Sequence, residues 1–116
     1  MSDIPKKTLE QVVRSDGRYP PEAFQFLQET APGEGHVTGQ EICRRLKVKA
    51  IERWGMLARV VLAKWNITTT IDFGNMVYLL IEHEFWRKSP TDTIEDFRDV
   101  YEFEAAFAST KFEASE

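Results

Sequence analysis

The sequence predicts an all-α fold, a compact bundle of five or six helices with at most a short wing-like hairpin near residues 85–91. Three observations predict it. Apolar residues recur every three or four positions in several separate stretches, the spacing that lines one face of a helix. Threonines able to cap a helix stand just ahead of three of those stretches, at Thr8, Thr38 and Thr69, with Gln11, Glu41 and Asp72 three residues on. Glycines and prolines fall between the stretches, where the chain must turn.

The first helix follows Thr8, with Leu9, Val12 and Val13 on one face and Asp16-Gly17 as its stop. The second opens at Pro21, whose missing N–H costs nothing in a first helical turn, and points Phe24, Leu27 and Phe26 inward. Pro32-Gly33-Glu34-Gly35 ends it in a loop. The longest stretch starts at Thr38 and carries Ile42, Leu46, Ala50, Trp54, Leu57, Ala58, Val61 and Trp65 at helical spacing, with a break expected near 47–49 or at Gly55. Its second half, 56–65, is apolar on several faces and is expected to be the central buried helix. After a tight connection at 66–68, Thr69 caps a helix led by Phe73, Met76, Val77 and Leu80. Ser89-Pro90-Thr91 makes a turn, and Asp92 or Thr93 caps a final helix that returns Phe97, Val100, Tyr101 and Phe107 to the core.

The 116 residues fit one helical domain, with 1–7 and 110–116 expected to fray. Hydrophobic residues make up 42% and charged residues 29%, proportions that give an ordinary globular core rather than a disordered chain. Cys43 is the single cysteine, so no internal disulfide can staple the chain. The first seven residues lack the apolar run of a secretion signal, and the longest apolar run, 76–81, is far short of the ~20 residues that span a bilayer. The expected compartment is the cytoplasm, with no membrane partner.

Candidate chemistry is sparse. Cys43 with His36 or His83 is the one possible thiol–base pairing, and its neighbours Ile42 and Leu46 predict a buried, inert thiol. Glu82-His83-Glu84 offers ligand types, but successive helical residues point apart, so no metal is expected. The carboxylates Asp92, Glu95, Asp96, Asp99 and Glu102 suit a helix N-terminus and a solvated face. Gly33-Glu34-Gly35 lacks the strand a phosphate loop needs. No cofactor is expected.

Net charge is −4, yet it is unevenly spread. From Glu41 to Lys64 there are seven basic residues against two acidic ones, and from Asp92 to Glu116 eight acidic residues against Arg98 and Lys111. A helix-turn-helix over 50–84 with a wing at Phe85-Trp86-Arg87-Lys88 would offer bases an acidic second helix, the wrong sign for nucleic acid. A nucleic-acid binder would therefore use the basic segment 44–59.

The stretch Asp16-Gly-Arg-Tyr-Pro-Pro-Glu admits two readings. It is a rigid surface epitope, with Arg18 and Tyr19 as contacts, or Tyr19 packs on a neighbouring helix while Arg18 pairs with Asp16 or Glu22. Together with Asp16-Gly-Arg-Tyr-Pro-Pro-Glu-Ala-Phe, three further motifs stand out: His36-Val-Thr-Gly-Gln-Glu, Trp65-Asn-Ile-Thr-Thr-Thr-Ile-Asp-Phe-Gly and Glu95-Asp-Phe-Arg-Asp-Val-Tyr-Glu-Phe. In this order, from about residue 9 to 107, the chain resembles a family of short uncharacterised proteins from planctomycete and verrucomicrobial bacteria. The resemblance implies a similar length and assigns no activity, cofactor or catalytic residue. The link between Phe26 and His36 is shorter here than is usual in that family.

The function these readings favour is a non-enzymatic protein-interaction or adaptor domain, its surface including Asp16, Arg18, Tyr19, His36, Gln40 and Glu41. The partner expected is a protein, a second copy of the chain among the candidates. The alternatives are a winged-helix-like nucleic-acid binder and an enzyme with a site around His36, Gln40 and Glu41, which a deep pocket reaching Asp16 or Arg18 would favour.

Overall fold

The computed structural model describes residues 7–31 and 37–108. Thr8 opens α1 (Leu9–Asp16) with a reciprocal cap: its hydroxyl accepts the Gln11 N–H at 3.1 Å, and the Gln11 side chain accepts the Thr8 N–H at 2.9 Å. Gly17, at φ +75°, closes the helix with its N–H on the Val13 carbonyl. Pro21 takes the first position of α2 (Pro21–Thr30), which buries Ala23, Phe24, Phe26 and Leu27. The Thr38 hydroxyl accepts the Glu41 N–H at the head of α3 (Gly39–Trp54).

The long periodic stretch does break at Gly55. That residue, at φ +52°, starts a 3₁₀ turn (Gly55–Leu57), and α4 (Ala58–Lys64) leaves it in a new direction. Asn66, at φ +68°, ends α4, and the Ile67 N–H returns to the Leu62 carbonyl at 2.9 Å. Asn tolerates this left-handed conformation better than most residues. Asp72 caps α5 (Thr70–Glu82) by accepting the Thr68 and Thr69 N–H groups at 2.8 and 3.0 Å.

The expected single last helix is two pieces, a 3₁₀ turn (Ile94–Phe97) headed by Thr93 and Asp96, then α6 (Phe103–Ala108). No strand occurs among the described residues, so the hairpin expected at 85–91 is replaced by turns. The frayed ends expected at 1–7 and 110–116 lie outside the described residues except for Lys7, which precedes α1.

One correction concerns the core. The buried central helix is α5, not the 56–65 stretch. Thr70, Phe73, Gly74, Met76, Val77, Leu79 and Leu80 of α5 are buried, whereas α4 buries only Ala58 and Leu62. The reason is packing on both sides. The 94–97 turn lies on α5 and α3, and there Phe97 meets two glycines. A Cβ on Gly74 would stand 2.8 Å from the Phe97 Cβ, and one on Gly39 would stand 2.8 Å from the Phe97 ring. Bare backbone at both positions lets the ring reach the centre. The Thr70 hydroxyl, buried, accepts the Val100 N–H at 3.1 Å and satisfies its polarity there.

Candidate functional site

The 16–22 stretch is a structural brace. Tyr19 is 4% exposed, and its hydroxyl donates to Asp72 Oδ1 at 2.7 Å and accepts from Asn75 Nδ2 at 3.0 Å. Asp72 thereby joins the α5 cap to the α1–α2 turn. Asn66 Nδ2 donates to the Arg18 carbonyl at 3.2 Å, tying the α4–α5 connection to the same turn. The Arg18 side chain pairs with Asp16 at 3.0 Å and lies 5.6 Å over the Tyr19 ring. Burial, with the Asp72 carboxylate beside it, raises the Tyr19 hydroxyl to about 12 against the opposing hydrogen bond from Asn75. Of the two side chains expected to make the epitope's contacts, Arg18 is exposed, whereas Tyr19 is a core residue whose polar tip is satisfied.

The other expected surface residues do not join it. Gln40 and Glu41 lie partly buried at the start of α3, and Glu41 pairs with Arg45 at 3.4 Å and Arg44 at 3.9 Å. Among the described residues no hydrogen bond or ion pair links Gln40 or Glu41 to Asp16 or Arg18. His36 lies outside the described residues. Cys43 is buried, with burial pushing its thiol up to about 12, which keeps it protonated at neutral pH. Among the described residues no group of three or more His, Cys, Asp or Glu side chains is placed to hold a metal ion.

The basic segment 44–59 is largely spent on local contacts. Arg44 and Arg45 pair with Glu41, Lys49 with Glu52 at 3.2 Å, and Arg53 with Glu29 at 2.5 Å. Lys47 sits 5.3 Å over the Tyr101 ring. The helix that would read bases, α5, is the most buried in the fold, with Asp72 and Asn75 both engaged by Tyr19.

Two apolar features remain at the surface. A groove of about 450 Å³ runs between α1 and α2, floored by Leu9, Val13, Pro21 and Phe24 and edged by Gln25 and Gln28. The second feature is the outward side of residues 55–64. The Trp54 and Trp65 rings, 5.5 Å apart, each contact Phe26, at 5.0 and 5.9 Å, and pin both ends of this excursion. Ala58 and Leu62 face inward, and α6 packs on α4. Val61 is half-buried, and three large apolar side chains are exposed: Met56 at 59%, Leu57 at 60% and Val60 at 51%. Leu57, at the head of α4, stands three positions before Val60, and Met56 precedes it in the 3₁₀ turn.

Arg59 and Lys64, exposed on the same element, make no ion pair among the described residues. The arginines of α1 and α3, by contrast, are all paired. No acidic residue occurs from Gly55 to Lys64. Sequence reasoning counted Leu57 with the core because its spacing continues the apolar row of α3. The break at Gly55 resets the register, and a seven-residue helix with two inward positions cannot bury every apolar residue it carries. That excess of apolar residues was the available signal.

No helix among the described residues is long and apolar enough to cross a membrane. No protein-family model, curated protein or solved structure matches the chain.

Proposed function

We propose that the chain is a non-enzymatic protein-interaction domain of the cytoplasm, and that it docks its partner on the outward face of residues 55–64. The observation that supports this is the exposure of Met56, Leu57 and Val60 side by side, on an element held rigid by Trp54 and Trp65. Three large apolar side chains in water cost roughly 1.5–3 kcal/mol each relative to burial. A partner that covers them recovers that free energy, less the entropy of association. Methionine and arginine are also enriched at interfaces, and here Met56 and Arg59 lie within one helical turn. What favours protein over nucleic acid is the same face. Phosphates would engage Arg59 and Lys64 and leave Met56, Leu57 and Val60 exposed.

Site-specific photo-crosslinking in the producing cell tests the proposal. A crosslinking side chain at position 60 is expected to trap a discrete protein adduct that a crosslinker at position 14, on exposed α1, does not. Adding Leu57→Glu should abolish the adduct. Equal adducts from both positions, or none from position 60, would show that the 55–64 face is not the docking surface.

A further inference from the structure

We infer that the partner presents an acidic amphipathic helix to residues 55–64, with apolar side chains every three or four positions and carboxylates beside them. The inference rests on the docking face proposed above and adds the chemistry of its occupant. Arg59 and Lys64, five positions apart beside the apolar face, supply two exposed cations that make no ion pair among the described residues. Covering Met56, Leu57 and Val60 removes water from around both cations, and a buried charge must be paired. The partner therefore brings carboxylates within reach of the apolar contact. The 55–64 segment of a second copy does not meet that condition. Across a two-fold axis through α4, Arg59 and Lys64 would face their own counterparts, with no acid between Gly55 and Lys64 to separate them.

An anionic bilayer offers both apolar depth and negative charge, but it is extended. It would also meet Glu104 of α6, which is exposed on the helix packed against α4. A single partner helix covers a narrow strip of surface and can lie along 55–64 without covering Glu104. Helix against helix also suits the geometry, since apolar positions at i and i+3 or i+4 form the ridge that a partner helix accepts.

The test is a displayed library of 20-residue amphipathic helices. Their apolar positions are fixed and their flanking positions randomised among Glu, Lys and Gln. Selection is run against the intact protein, Leu57→Glu, and the double variant Arg59→Glu with Lys64→Glu, each checked for native circular dichroism. The expected result is enrichment of Glu-flanked helices on the native protein, loss on Leu57→Glu, and a switch to Lys-flanked helices on the double variant. The best Glu-flanked helix should bind the double variant about tenfold more weakly.

Leu57-dependent binders with no preference for Glu would overturn the acidic partner and leave the docking face standing. No Leu57-dependent binder at all would overturn both. Leu57-dependent sedimentation with phosphatidylserine–phosphatidylcholine vesicles, or Leu57-dependent self-association in ultracentrifugation, would replace the helix with a membrane or a second copy.

Discussion

Tyr19 shows how a conspicuous residue can serve the fold alone. Its ring is buried, its hydroxyl lies between Asp72 and Asn75, and Asp72 in turn holds the head of α5. Tyr19→Phe removes the shared hydroxyl and leaves both partners short of a hydrogen bond, which should cost about 1–2 kcal/mol in urea denaturation. The same contact sets a pH dependence. Below pH 10 the phenol is neutral folded and unfolded, and its contribution is whole. As pH rises from 10 through about 12, the unfolded chain ionises first and stability falls. Tyr19→Phe should flatten that part of the alkaline decline relative to the native protein. Cys43 makes a simpler test. It should react with an aromatic disulfide reagent at neutral pH only after denaturant is added, and prompt reaction in buffer would contradict its burial. The sequence marked this tyrosine as unusual but not its use, because its partner lies 53 residues away and no local pattern encodes such a contact.

At the scale of elements, what was legible was local. The Thr8–Gln11 box, Pro21 at a helix start, the Gly17 stop and the Asp72 cap each concern residues within four positions, and each is found in place. What was not legible depends on contacts between distant segments. The Phe97 wedge needs two glycines, one on α3 and one on α5, to face the same ring. Gly74→Ala sets a methyl against the Phe97 Cβ, which cannot swing aside, and should destabilise the fold by about 1–3 kcal/mol. Phe97→Ala in the same background should cost less than it does alone, because the methyl then fills part of the space it would otherwise contest. Gly55 acts through conformation only, since a Cβ there meets nothing within 4 Å. Gly55→Ala should therefore cost about 1–3 kcal/mol by forcing an L residue into a backbone conformation that glycine adopts freely.

Over the whole molecule the two levels combine. The Gly55 break interrupts the row that α3 begins, α5 takes the central place, and Leu57, which periodicity assigned to the core, is left facing out while Ala58 stays buried. The fold class and most of the helices follow from spacing and caps, while the candidate face follows from the one place where spacing misleads. Charge asymmetry in the sequence also takes a narrower meaning. The cations of α3 are absorbed by Glu29, Glu41, Glu52 and the Tyr101 ring, and those of α4 remain available. The central claim is that Met56, Leu57 and Val60 are covered by a protein when the chain is in its own cell. Hydroxyl-radical footprinting of the purified protein beside the same protein in living cells tests it most directly, with Phe85, 38% exposed and remote in sequence, as the reference. Labelling of Met56, Leu57 and Val60 is expected to fall severalfold in the cell while that of Phe85 is unchanged. Equal labelling of all four side chains in both settings would contradict it.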